Sequence, residues 1–472
     1  MPDPANAMTK SVMTGLRPLS LANAYALIAL AFGCFFLIAT PPFGVGDETA
    51  HFERSYEVAT GAILGAEGLP AGMQDLIDDA FARVKSGVPI DGADYKRWRE
   101  IDLDAQTITP WPEPIRAVMR LHSPVCYVHL APVVGAGVAL GLPPLTIFYL
   151  GRIAALAIGV FLVRAAISRA PSSLRPPMLF VGLLPTAVVF FAGFNIESLL
   201  VGLGFYYFAL VASLAATPDK RLGRGDIARL VAVAFLLGQF KTGYLLLPAL
   251  ALILPRSKFA SRRDQFAIIA LCVAPGIIAS LAWANAVNAS ILGGLIYSTD
   301  GVNRVAPGEQ LAGILADPLG YAGVLFNTFF GTQALGVAWK SMLALGGWTN
   351  IPVSIASYII LTEGLLFVWA SGPKPPAALT SLYGTVIQVG IFAVTTAAIF
   401  TLVYLQWNGV RAPAIDGFQG RYWIAVLPFL FAATPVRWSL FADPRRRIAV
   451  AVIAPLFGLI DMAFAVSGFY LR

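Results

Sequence analysis

The chain has 472 residues, 57% of them hydrophobic and only 12% charged, with mean hydropathy +0.73 and net charge +7. Soluble domains carry roughly 25% charged residues, so a water-soluble globule is excluded and an all-α polytopic membrane protein is implied. The basic balance does not point to nucleic acid, because Lys and Arg are scattered over short loops rather than gathered in one patch.

Residues 1–40 hold a tail with Lys10 and Arg17, then an apolar run from about Leu19 to Thr40. At 1.5 Å per residue this run spans a bilayer core of roughly 30 Å. It is too long for the apolar part of a cleavable signal, and Thr40-Pro41-Pro42 is a poor cleavage site. It reads as a first transmembrane helix with its N-terminus in the cytoplasm. Residues 41–122 follow as a polar loop, with fourteen Asp or Glu against eight Lys or Arg between Pro41 and Leu121. That is a net of −6, which leaves +13 for the remainder. Acidic outside and basic inside is the pattern that the positive-inside bias produces in an inner membrane, with the loop expected on the external face.

Further spans are expected near residues 123–142, 145–166, 177–194, 197–216, 227–240, 243–255, 266–288, 351–371, 379–405, 421–436 and 448–470. The basic loops around Arg164/Arg169/Arg175, Lys220/Arg221/Arg224, Arg256/Lys258/Arg262/Arg263 and Arg437/Arg445/Arg446/Arg447 share one side only if residues 123–166 cross an odd number of times. One helix there is therefore expected to lie on the surface or re-enter, and the first, opening with His122-Ser123-Pro124, is the candidate. The expectation is about eleven crossings, within a range of nine to thirteen. They divide into a bundle over 123–290, a second external or interfacial region over 291–350 and C-terminal helices over 351–472. Cys34, Cys126 and Cys272 lie far apart in apolar sequence and show neither disulfide nor zinc spacing.

The candidate chemistry begins where the first helix ends. Asp47, Glu48 and His51 stand at the membrane boundary, where charge is costly and tends to mark a working site. Asp47, His51 and Arg54 fall at i, i+4 and i+7, one face of a helix. A solvated helix start capped by Asp47 is the plainer alternative. Asn195 and Glu197 interrupt apolar sequence, Lys241 follows Gln239-Phe240, and Arg421-Tyr422 follows Gln419-Gly420. By the expected topology all three lie on the side of Asp47. Lys241 and Arg421 are the residue types that hold a phosphate. Their alternatives are snorkelling to the headgroups for Lys241 and an aromatic belt for Arg421.

The pattern Pro-Pro-x-x-x-x-Asp-Glu-x-x-His-Phe-x-Arg over residues 41–54 resembles a domain-of-unknown-function family of bacterial multi-pass membrane proteins. So do His122-Ser123-Pro124-Val125-Cys126-Tyr127, Gly347-Trp348 with Pro352, and Gln419-Gly420-Arg421-Tyr422. The layout is also similar to the GT-C superfamily of membrane glycosyltransferases, with an acidic first-loop motif, a His-Pro-Pro-Leu-like element and a Thr-Lys-Gly-like element. The last two here read His-Ser-Pro-Val and Lys241-Thr242-Gly243.

This resemblance implies a GT-C-like fold and sugar transfer from a polyprenyl-phosphate carrier to an envelope glycan or lipid at the outer face. Asp47 is the first choice as base, with Glu48 orienting the acceptor or binding a metal; their roles are not divided by sequence. His51, Arg54, His122, Lys241, Arg421 and Tyr422 are expected to bind substrate. No cofactor is demanded. A divalent metal stays open, since some GT-C members use one, although no compact ligand set is visible around Asp47, Glu48 and His51. The chain lacks a Gly-rich phosphate loop, which argues against nucleotide donors. A lipid or polysaccharide transporter or flippase is the alternative, disfavoured by the lack of a convincing internal repeat. A scaffold docking through the acidic loop is the third class.

Overall fold

The computed structural model describes residues 19–110, 119–287, 296–298, 303–348, 350–351, 353–433 and 443–471. Lys10, Arg17, Pro352 and Arg437, which figure in the sequence expectations, lie outside them. The described chain is mostly helical, and six helices are long and apolar enough to cross a membrane: Leu21–Ala39 (α1), Pro144–Arg169, Glu197–Ala215, Arg262–Val287, Leu382–Trp407 and Pro444–Tyr470. Each matches an expected span.

The other expected spans are shorter or broken, so a count of eleven is not reached by continuous helices. Residues 177–194 divide into Arg175–Gly182 and Pro185–Phe191, because Pro185 can only begin a helix there. Residues 227–240 form Arg224–Leu237, which stops where Gly238 meets the backbone of Gly276. The 243–255 stretch, with Pro248, is 3₁₀ turns. Residues 351–371 give Ile355–Ala370, about 24 Å long. In the 421–436 stretch the described residues form Arg421–Ile424 and Leu427–Ala433, with Pro428 in the second piece, and residues 434–436 lie outside them. Residues 123–142 form a 3₁₀ turn, Pro124–Tyr127, and the nine-residue helix Ala131–Ala139, about 14 Å long.

Helix α1 starts on Ser20, whose hydroxyl accepts from the Asn23 N–H, and ends at Thr40-Pro41-Pro42. Its Gly33 lets Leu156 of Pro144–Arg169 come close enough that a Cβ would lie 2.5 Å from the Leu156 side chain. Glu197–Ala215 is the innermost long helix, 89% of its apolar window being enclosed by protein, whereas Arg262–Val287 has 17% enclosed and turns most of its surface outward. Outward apolar side chains such as Leu27, Ile38, Phe266, Ile278 and Phe464 form the face expected of helices in lipid.

The described residues of the polar loop after α1 form a mostly helical unit. It comprises Glu48–Ala59 (α2), a two-strand ribbon pairing Gly68–Pro70 with Ile108–Pro110, and the helices Ala71–Ser86 and Gly92–Arg99. Its small core closes on Trp98, Leu76, Ile77 and Ala80, and the Trp98 indole N–H donates to Asp79 at 2.6 Å. Trp348 reaches across from the region after Ala334–Leu343, donating to the Phe43 carbonyl at 2.9 Å, while Lys85 lies 4.1 Å from its ring centroid. The loop that carries Asp47 is thus clamped from two sides.

Candidate functional site

The turn between α1 and α2 is built on one buried ion pair. Arg152, within Pro144–Arg169, donates to both oxygens of Glu48 at 2.7 and 2.6 Å and to the carbonyls of Leu37, Thr40 and Pro41. Glu48 also accepts from the N–H groups of Val45 at 3.0 Å and Phe194 at 2.7 Å. These carbonyls belong to the end of a helix and the turn beyond it, where backbone acceptors need outside partners. Both side chains are wholly buried. Glu48 is therefore turned away from the surface that Asp47 faces, and its oxygens are already engaged, so orienting an acceptor or holding a metal does not fit its geometry.

Asp47 is placed differently from its neighbour. It occupies the N-cap position of α2 in the left-handed region, φ 69°, and its side chain makes no capping hydrogen bond. A non-Gly residue in this conformation is uncommon, although Asp tolerates it better than most. The turn points the carboxylate at Arg421, whose Nη2 donates to it. Arg421 Nε lies 4.0 Å from Glu197 Oε1, and Lys241 Nζ lies 3.5 Å from the same oxygen. Glu197 Oε2 faces His51 Nε2 at 3.8 Å. The His51 Nδ1 hydrogen-bonds with the Tyr127 hydroxyl at 2.9 Å, and the His122 ring stacks on His51 at 6.0 Å. Tyr422 offers its ring to Lys241 at 4.6 Å and to Arg421 at 5.2 Å.

Five stretches distant in sequence thus meet in one cluster, with Asp47 at its exposed edge. Asp47 retains 30% side-chain exposure, Lys241 17% and Arg421 4%. Lys241 is directed toward Glu197, and Arg421 is buried beside Asp47 and the Phe190 ring. Charges alternate from Asp47 through Arg421 and Glu197 to Lys241, so the cluster is balanced. Burial raises the Asp47 carboxyl, but the facing Arg421 guanidinium, joined by His51 and Lys241, more than offsets it and the group is held below its ordinary range. Burial pushes His51 down, and His122 further, against the pull of Glu197 on both. Both imidazoles are therefore neutral near pH 7, and His51 meets Glu197 as a neutral ring, not as an ion-pair partner.

Of the expected residues, Asp47, His51, His122, Lys241, Arg421 and Tyr422 come together, and Glu48 and Arg54 do not join them. Arg54, one helical turn beyond His51, donates to Glu57 at 2.6 Å, and Arg120 reaches the same carboxylate at 2.9 Å. Its guanidinium lies over Trp283 at 5.8 Å. Glu197, the hub of the cluster, was visible in sequence as a polar interruption without an assigned role. Its backbone N–H donates to Asn195 Oδ1 at 3.0 Å, and Asn195 Nδ2 donates to Phe190, which fixes the start of its helix. Among the described residues no group of three His, Cys, Asp or Glu is placed to hold a metal ion.

Arg421 is aimed by the glycine before it. A Cβ on Gly420 would sit 1.7 Å from the Ala338 carbonyl oxygen and 2.6 Å from Met342 N, and the Gly420 N–H donates to Ser341 Oγ at 2.7 Å. Gly420→Ala is expected to cost about 1–3 kcal/mol, the scale of overpacking, and to shift Arg421. A melting curve unchanged from wild type would remove this constraint.

The family model for predicted membrane proteins, DUF2142, matches residues 30–430. The chain belongs to this family. No curated protein and no solved structure matches it. The DUF2142 match includes every residue of the cluster from Asp47 to Tyr422, and the chain is a multi-pass membrane protein. The helix Pro444–Tyr470 lies beyond the match yet supports the turn that carries Asp47, since its Tyr470 hydroxyl donates to the Gly44 carbonyl at 3.1 Å.

Proposed function

We propose that this protein is a membrane glycosyltransferase that moves a sugar from a polyprenyl-phosphate carrier to a hydroxyl of a cell-envelope glycan or lipid. The observation that carries the reading is the convergence of a partly exposed carboxylate, Asp47, with two inward-turned cations, Lys241 and Arg421, in one cluster. In this reading the site opens at the outer face of the bacterial cytoplasmic membrane, with the basic loops inside. The fold is GT-C-like, and short or paired helices complete about eleven crossings.

The reaction needs three things of such a site. Asp47 accepts the proton of the acceptor hydroxyl as that oxygen bonds to the anomeric carbon. The anomeric carbon–oxygen bond to the carrier breaks, and its electron pair leaves with the lipid phosphate. Lys241 and Arg421 balance the charge that builds on that phosphate. A single displacement with one base inverts the anomeric centre. Tyr422 faces both cations, and His51 and His122 are neutral hydrogen-bonding groups suited to sugar hydroxyls.

The test is titration of a polyprenyl-phosphate sugar into purified protein in lipid, comparing wild type with Arg421→Gln and Lys241→Gln. Each loss of a charge-assisted contact, roughly 1.5–3 kcal/mol, is expected to weaken apparent donor affinity about ten- to a hundredfold. Arg421→Lys should not fully restore it, because an ammonium lacks the planar fork. Unchanged donor dependence in both glutamine variants would sink the phosphate site. Carrier movement across the bilayer without sugar transfer would favour the lipid-transporter alternative.

A further inference from the structure

In the cluster Arg421 is already committed. Its Nη2 holds Asp47, its Nε faces Glu197 at 4.0 Å, and the guanidinium lies 4.5 Å from the Phe190 ring centroid. The guanidinium assigned to the carrier phosphate is therefore the one that neutralises the proposed base. We propose that Asp47 and the donor phosphate compete for Arg421, so that the donor must take the guanidinium before Asp47 is free to accept a proton. The inference rests on the transferase reading and adds an order of events to it.

The geometry supports an exchange over a permanent bridge. Unlike Glu48, which shares its buried arginine with two backbone N–H donors, Asp47 is 30% exposed and uses neither oxygen to cap α2. Arg421 has a second anion, Glu197, to steady it while Asp47 departs. The donor's phosphodiester matches the planar fork as well as a carboxylate does and carries the same single charge, while the sugar-free monophosphate carries more. Once the guanidinium turns to phosphate, Asp47 loses the charge that depresses its basicity. The proton then moves from acceptor oxygen to Asp47 only with the donor in place, which suppresses activation of water in an empty site.

The competition makes a prediction opposite in sign to that for an ordinary binding residue. Asp47→Asn should stop transfer and yet bind a polyprenyl monophosphate that bears no sugar about tenfold more tightly than wild type, the scale of one charge-assisted contact. Asp47→Gly, which also suits the positive φ, should show the same gain if asparagine disturbs the turn. Binding is measured in nanodiscs of zwitterionic lipid, with inorganic phosphate as a second ligand expected to move in the same direction. In an Arg421→Gln background the gain should vanish, because the competition runs through that guanidinium. Equal or weaker binding by both Asp47 variants, with wild type binding normally, overturns the competition and leaves the phosphate site standing. No binding by wild type or by either Asp47 variant overturns the phosphate site and the competition with it.

Discussion

Asp47→Asn is expected to lower sugar transfer about a hundred- to ten-thousandfold, the span that a positioned general base contributes. The change is nearly isosteric, asparagine accepts the left-handed backbone at this position, and no capping hydrogen bond is lost. Folding should therefore be unimpaired, which melting and elution profiles would check beside the turnover assay. The sign of the pH dependence follows from Arg421. With its carboxyl held low while the donor is absent, Asp47 stays ionised well into mildly acid solution, and wild-type kcat/KM, which reports the free protein, should fall only as pH drops below the ordinary carboxylate range. Full turnover by the asparagine variant would remove Asp47 as base. Glu48 could not inherit the role, because Arg152 and two backbone N–H groups hold its oxygens. The assignment would then pass to Glu197.

Breaking the Glu48–Arg152 pair should be the most damaging change to stability. Removing one partner of a buried, hydrogen-bonded ion pair typically costs about 3–5 kcal/mol, a large part of the roughly 5–15 kcal/mol that holds a domain folded. Glu48→Gln and Arg152→Met are both expected to cut the yield of folded protein and lower its melting temperature. A double apolar replacement should not rescue either variant. The pair also satisfies the carbonyls of Leu37, Thr40 and Pro41 and the N–H groups of Val45 and Phe194, which would be left without partners in the interior. Wild-type melting by Glu48→Gln would remove the structural role. If that variant also lost transfer, Glu48 would return to the chemistry.

Adjacent in sequence, Asp47 and Glu48 show where reading the chain stopped. Two carboxylates beside one membrane boundary look alike, and helical spacing places Asp47, His51 and Arg54 on a common face. That spacing held for Asp47 and His51. It did not carry Arg54 into the cluster, because Glu57, three residues on, takes its guanidinium locally. Glu197 shows the converse. A lone acid in apolar sequence is conspicuous, yet its partners Lys241, Arg421 and His51 come from segments tens to hundreds of residues away.

What the sequence by itself determined is the membrane class, the positions of the six membrane-length helices among its twelve candidate spans, and the residues costly enough near hydrocarbon to need a reason for being there. Those follow from local physics: twenty apolar residues have no other stable place, and isolated charges beside them carry a penalty that any neighbour can reveal. Only the tertiary structure decided which apolar runs break at Pro185, Pro248 and Pro428, and which acid faces the cluster. It also decided that Arg421 and Lys241 turn inward to share Glu197. Pairing is a property of three-dimensional proximity, and no one-dimensional pattern records which cation a buried carboxylate will meet.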